Sequence, residues 1–101
     1  MYRNEKIKKI ADTYGWNKQC QMAIEEMSEL TKAICKRQRK LGDCLFTESA
    51  EIDEQTAIVE EIADVKIMVA QLEYLLSAEG DVDEVIEQKL DRQLKRIENG
   101  G

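Results

Sequence analysis

No proline and no histidine occur in the chain, and only five of its 101 residues are glycine. Proline and glycine are the main punctuation of a backbone, so their scarcity predicts few turns and long uninterrupted elements. The lack of histidine removes the commonest general base and the commonest nitrogen ligand for a metal. Cysteine is sparse as well. Cys20, Cys35 and Cys44 form no Cys-x-x-Cys pair, which excludes the usual zinc frameworks. Free thiols without a disulfide pattern suit a reducing compartment, and the opening MYRNEKIKKIADTYGW lacks the apolar stretch of a signal peptide. The expected location is cytoplasmic. No segment approaches 18 apolar residues, so no membrane span is expected.

Positive charge is in deficit too: 15 Lys and Arg stand against 21 Asp and Glu, a net charge of −6. A protein that coats DNA or RNA carries a basic footprint, so a nucleic acid polymer is not an expected partner. A nucleotide ligand is not excluded, because a bound metal reverses the local sign of an acidic site. The length fits a single domain over residues 1–101. A domain of this size buries only roughly two-thirds of its unfolded surface, so a partner subunit would add stability.

Apolar spacing predicts four helices. The first, about Asn4 to Thr13, carries Ile7, Ile10, Ala11 and Tyr14 and stops near Gly15. The second runs from about Asn17, a plausible N-cap, to Leu41. A loop, GDCLFTESAEID, follows over Gly42 to Asp53. The third helix spans about Glu54 to Ala78, with Gly80 as its stop. The fourth begins after Asp81, which with Glu84 resembles a capping box, and fades at Asn99. No stretch alternates in the manner of a strand.

The third helix is apolar on two sides. Ile58, Ile62, Val65, Val69, Leu72 and Leu76 make one stripe at about 100° per residue, and Val59, Ala63, Ile67, Ala70 and Tyr74 make a nearly opposite one. The second helix can cover the first stripe. The opposite stripe then needs cover from another subunit, which predicts a homodimer or homotetramer with helix packing near Ile67.

Residues 23–30 read AIEEMSEL, and residues 58–65 read IVEEIADV. Each is apolar-apolar-Glu-Glu-apolar-small-acid-apolar, which places Glu26 with Glu29, and Glu61 with Asp64, on one helix face. When the stripes pack, the two pairs can meet at the edge of the core. Carboxylates gathered there repel one another by about 4 kcal/mol per pair at 4 Å and an effective dielectric of 20. A hard divalent cation answers that repulsion, and Mg²⁺ keeps positions open for substrate phosphates. Most Glu-Glu pairs on helices are merely solvated faces. Here the two motifs share one register and lack Lys partners at i+4.

The pattern EExxE followed by ExxD resembles the signature of the MazG-like all-α NTP pyrophosphohydrolases. That superfamily includes MazG, dimeric dUTPases, dCTP pyrophosphatases and phosphoribosyl-ATP pyrophosphohydrolase. YGWNKQ before the first motif, EIADV at the second and KLDRQLKR near the end extend the likeness over roughly Tyr14 to Arg96. Two features depart from it. The 31 residues between Glu29 and Glu61 are a long connection, and Gln93 stands where Asn is common.

The resemblance implies a four-helix bundle completed by oligomerisation and cleavage of a (d)NTP to a (d)NMP and pyrophosphate, a house-cleaning activity. It implies Mg²⁺, with Mn²⁺ as a substitute, on Glu26, Glu29, Glu61 and Asp64. Without histidine the general base is a carboxylate or metal-bound hydroxide, and Glu26 and Glu25 are the candidates. Glu60 reads as a solvated residue. Lys89, Gln93 and Arg96 share one helix face that can reach outer phosphates, although cations near a helix C-terminus also serve its dipole. Lys32, with Lys36 one turn on, is a weaker candidate of the same kind. Trp16 either stacks on a base or pins the helix start against the core, and Cys20, Cys35 and Met27 read as core filler. The alternative function is a catalytically silent helical interaction module of the same fold. A di-iron carboxylate bundle is excluded, because its Glu-x-x-His motifs need histidine.

Overall fold

The computed structural model describes residues 1–42 and 52–100. The chain is all-α, with three helices and, among the described residues, no strand: α1 (Arg3–Leu41), α2 (Ile52–Leu75) and α3 (Glu79–Glu98). The loop expected over Gly42 to Asp53, with Cys44, lies outside the described residues except at its ends.

The first two expected helices together make up α1, and the expected stop is where that element breaks, at Gly15. There the backbone takes φ 80° and ψ 173°, a combination essentially reserved for glycine. The chain is helical again immediately afterwards, so Asn17 lies inside the second segment rather than capping it. The break turns the N-terminal segment onto α2. Tyr74 donates to both carboxylate oxygens of Asp12, at 2.9 and 2.8 Å, and the Lys8 ammonium lies 5.7 Å from the Tyr74 ring centre. Beyond Gly15, α1 runs antiparallel to α2, as the meeting of Glu26 with Glu61 and Asp64 and the pairing of Lys40 with Glu54 require.

The connection to α3 also differs from the sequence reading. The stop after α2 is Ser77, not Gly80, which lies inside α3. Ser77 takes φ 52°, its amide bonds the Tyr74 carbonyl, and the Ala78 amide bonds the Glu73 carbonyl. That pair of bonds is a Schellman motif built without glycine. The capping box at Asp81 and Glu84 is not formed. The α3 helix begins at Glu79, and Asp81 sits in its first turn, where acidic charge favours the helix dipole.

Packing is thin. Ala11, Ala23 and Met68 are the apolar residues buried among the described residues, and none in α3 is buried. The stripe expected to be covered by α1 is covered only along one edge: Ile58, Val65 and Leu72 are half-buried, while Ile62, Val69 and Leu76 are exposed. Met27 and Cys35, read as core filler, are exposed, and Cys20 is half-buried. The physical reason is common to all of these. A single facing helix covers only part of another's circumference, and α3, with no buried residue, adds little cover.

Candidate functional site

Glu26 comes from the middle of α1, and Glu61 and Asp64 come from one turn of α2. Antiparallel packing of the matched motifs brings one carboxylate oxygen from each to within 4.8 Å of the others. Glu26 and Glu61 are half-buried and Asp64 is exposed, so the cluster opens to solvent on one side. Burial holds the Glu26 carboxyl above its ordinary range, and the Asp64 and then the Glu61 charges push it further up. Glu61 Oε2 is buried with no hydrogen-bond partner. Such a set of hard oxygens, mutually repelling and with one orphaned, is chemically suited to a divalent cation.

Glu29 stands one turn beyond Glu26, outside the close trio, and pairs with Lys32 at 3.7 Å. It still adds a smaller rise to the Glu26 carboxyl. Glu25 and Glu60 are exposed. Lys36 neighbours Glu54, at the far end of the α1–α2 pair. Trp16 is 44% exposed, so it flanks the packed seam rather than filling it. Lys89, Gln93 and Arg96 are exposed on α3, which touches α2 only slightly and, among the described residues, does not pack on α1. A single chain therefore does not gather them with Glu26.

Two glutamines were missed by motif reasoning. Gln19 and Gln71 are almost wholly buried, and Gln19 Nε2 and Oε1 and Gln71 Oε1 have no hydrogen-bond partner. Each lies seven residues from a member of the trio, Gln19 from Glu26 and Gln71 from Asp64, and so on the same helix face. The available signal was a polar residue at a core position of the heptad. Gln71 also lines an open groove of about 710 Å³ between the N-terminal segment and α2. Its apolar floor is Ile7, Ile10, Ile67 and Ala70, and Arg3, Lys6 and Lys66 supply positive charge. Ala63, next to Asp64, also lines this groove.

Among the described residues no helix is long and apolar enough to cross a membrane. Comparisons with family models, with curated proteins and with solved structures give no match to this chain.

Proposed function

We propose that the protein is a Mg²⁺-dependent nucleoside triphosphate pyrophosphohydrolase that cleaves a (d)NTP to a (d)NMP and pyrophosphate. The observation that carries this reading is the meeting of Glu26, Glu61 and Asp64, drawn from two matched motifs on different helices. The resemblance of those motifs to the MazG-like pattern supplies the reaction class.

Glu26, Glu61 and Asp64 would hold Mg²⁺ or Mn²⁺, with Glu29 joining once Lys32 releases it. When bound, the ion offsets charge on the phosphates and the leaving pyrophosphate. Glu26 is the preferred base over Glu25. Glu26 lies within the cluster, whereas Glu25 faces solvent. The groove between the N-terminal segment and α2 offers apolar walls for a nucleoside and cations for an anionic group. Lys89, Gln93 and Arg96 are proposed phosphate contacts, reached from α3 once the bundle is completed by self-association as a homodimer or homotetramer.

The test is product identity. Incubating the protein with a panel of standard and modified (d)NTPs and separating the products by ion exchange should give monophosphate and pyrophosphate. Diphosphate and orthophosphate as the main products would reject the reaction.

A further inference from the structure

We propose that the groove between the N-terminal segment of α1 and α2 is a nucleotide site in which Gln71 hydrogen-bonds the edge of the base. That this nucleotide is the substrate rests on the catalytic reading above, whereas its binding here does not.

The first observation is a polar group without a partner. Gln71 is 1% exposed, its Oε1 has no hydrogen-bond partner, and its side chain borders the groove. Leaving a buried carbonyl oxygen unpaired is costly, so a ligand that brings an N–H to it recovers that cost on binding. A carboxamide presents an acceptor and a donor side by side. That pair matches the hydrogen-bonding edge of a nucleobase, as when Asn or Gln reads adenine. Gln19 is just as buried and has both side-chain polar atoms unpaired, but it does not border the groove. It is an internal control for what burial alone does.

The second observation is charge. The chain carries 21 acidic residues against 15 basic ones, yet none of the described residues lining the groove is acidic, and Arg3, Lys6 and Lys66 are basic. None of these three has an ion-pair partner among the described residues. The α1 helix begins at Arg3, so the positive end of its dipole lies at the same part of the groove. Unpaired cations gathered on an acidic chain favour an anion, and phosphate is the anion that a base-bearing ligand carries.

The third observation is shape. The groove holds about 710 Å³, within the roughly 300–1,000 Å³ of small-molecule sites. Ile10 and Ile67 line it and are 41% and 46% exposed, which gives a planar ring an apolar surface to lie on. The three features select the ligand together. Inorganic phosphate would use only the cations, and a fatty acid would use the cations and the apolar walls but not Gln71. A nucleotide uses all three.

Isothermal titration calorimetry on the full chain in excess chelator tests this without turnover. The probes are deoxynucleoside monophosphates carrying each of the common bases, with inorganic phosphate alongside. At least one monophosphate should bind stoichiometrically, more tightly than phosphate, and more weakly as salt rises. Gln71→Leu should weaken that binding by roughly ten-fold or more, while raising the melting temperature of the ligand-free protein. Gln19→Leu should raise the melting temperature in the same way and leave binding unchanged. Should Gln71→Leu fail to fold, Lys66→Gln, at an exposed position, should weaken the monophosphate several-fold and flatten its salt dependence. The proposal is overturned if no monophosphate binds, if phosphate binds as well as every monophosphate, or if Gln71→Leu binds like wild type. An equal loss of binding in Gln19→Leu, or a Lys66→Gln protein unchanged in affinity and salt dependence, would overturn it too. Binding through Gln71 in chelator, with no pyrophosphate release in Mg²⁺, would sink the catalytic reading and leave this site standing. Pyrophosphate release with KM unchanged in Gln71→Leu would do the reverse.

Discussion

Replacing Glu26 by Gln keeps the shape of the side chain and removes one negative charge from the trio. Without metal that should stabilise the fold. Asp64 and Glu61 each present an oxygen within 4.8 Å of Glu26. At that distance one charge pair costs about 0.9 kcal/mol in bulk water and about 3.5 kcal/mol at an effective dielectric of 20. The open side of the cluster puts the effective value near the solvent end, so a gain of about 1–2 kcal/mol is expected for two pairs. For a domain of this size that is a rise of roughly 4–16 °C in Tm. The pH dependence follows from the direction of the shift. Glu26 has a folded-state pKa above its ordinary value. The folded state therefore favours the protonated form, and the wild type loses stability as pH rises through that pKa. The variant cannot lose it. The two proteins should melt together below about pH 4 and separate toward neutral pH. Adding Mg²⁺ should reverse the order, because an ion at 100 times its Kd stabilises the wild type by about 2.7 kcal/mol. Thermal melts by circular dichroism in chelator and in Mg²⁺ decide it. A Glu26→Gln protein less stable than wild type at pH 7 in chelator would refute the repulsion argument.

Gly15→Ala meets no steric neighbour within 4 Å, so its cost is the backbone conformation alone, about 1–3 kcal/mol. It should straighten α1 and free the N-terminal segment, seen as loss of the Tyr74–Asp12 contact and faster proteolysis before residue 15. Ser77→Gly should stabilise by about 0.5–1 kcal/mol in denaturant melts, since Ser77 holds a positive φ that glycine accepts freely. Glu29→Ala should lower the pyrophosphate release rate by at least an order of magnitude while leaving the helical signal unchanged. Undiminished activity would remove Glu29 from the metal set.

The sequence makes the helical class legible because apolar residues recur at helical steps and strand alternation is missing. It also makes the core of the site legible. Two motifs in one register on antiparallel helices have little choice but to meet, and Glu26, Glu61 and Asp64 do. Local punctuation was less readable. The break at Gly15 falls where the sequence places a stop, but Ser77 does a job expected of Gly80, its positive φ held by the Ser77 and Ala78 amides on the Tyr74 and Glu73 carbonyls. How far α1 covers its stripe of α2 was also less readable: Ile58, Val65 and Leu72 are half-buried while Ile62, Val69 and Leu76 are exposed, because a wheel shows which residues share a face and not how far a facing helix reaches. The burial of Gln19 and Gln71 was not legible, because a polar residue in a heptad reads as surface.

The most direct test of the central claim is pyrophosphate release from a (d)NTP panel by wild type and Asp64→Asn, each in Mg²⁺ and in excess chelator. Wild type should turn over only with the metal, and Asp64→Asn should fall by orders of magnitude while its helical spectrum is unchanged. Full wild-type turnover in chelator, or an Asp64→Asn protein as active as wild type, would contradict the assignment of the trio as the catalytic centre.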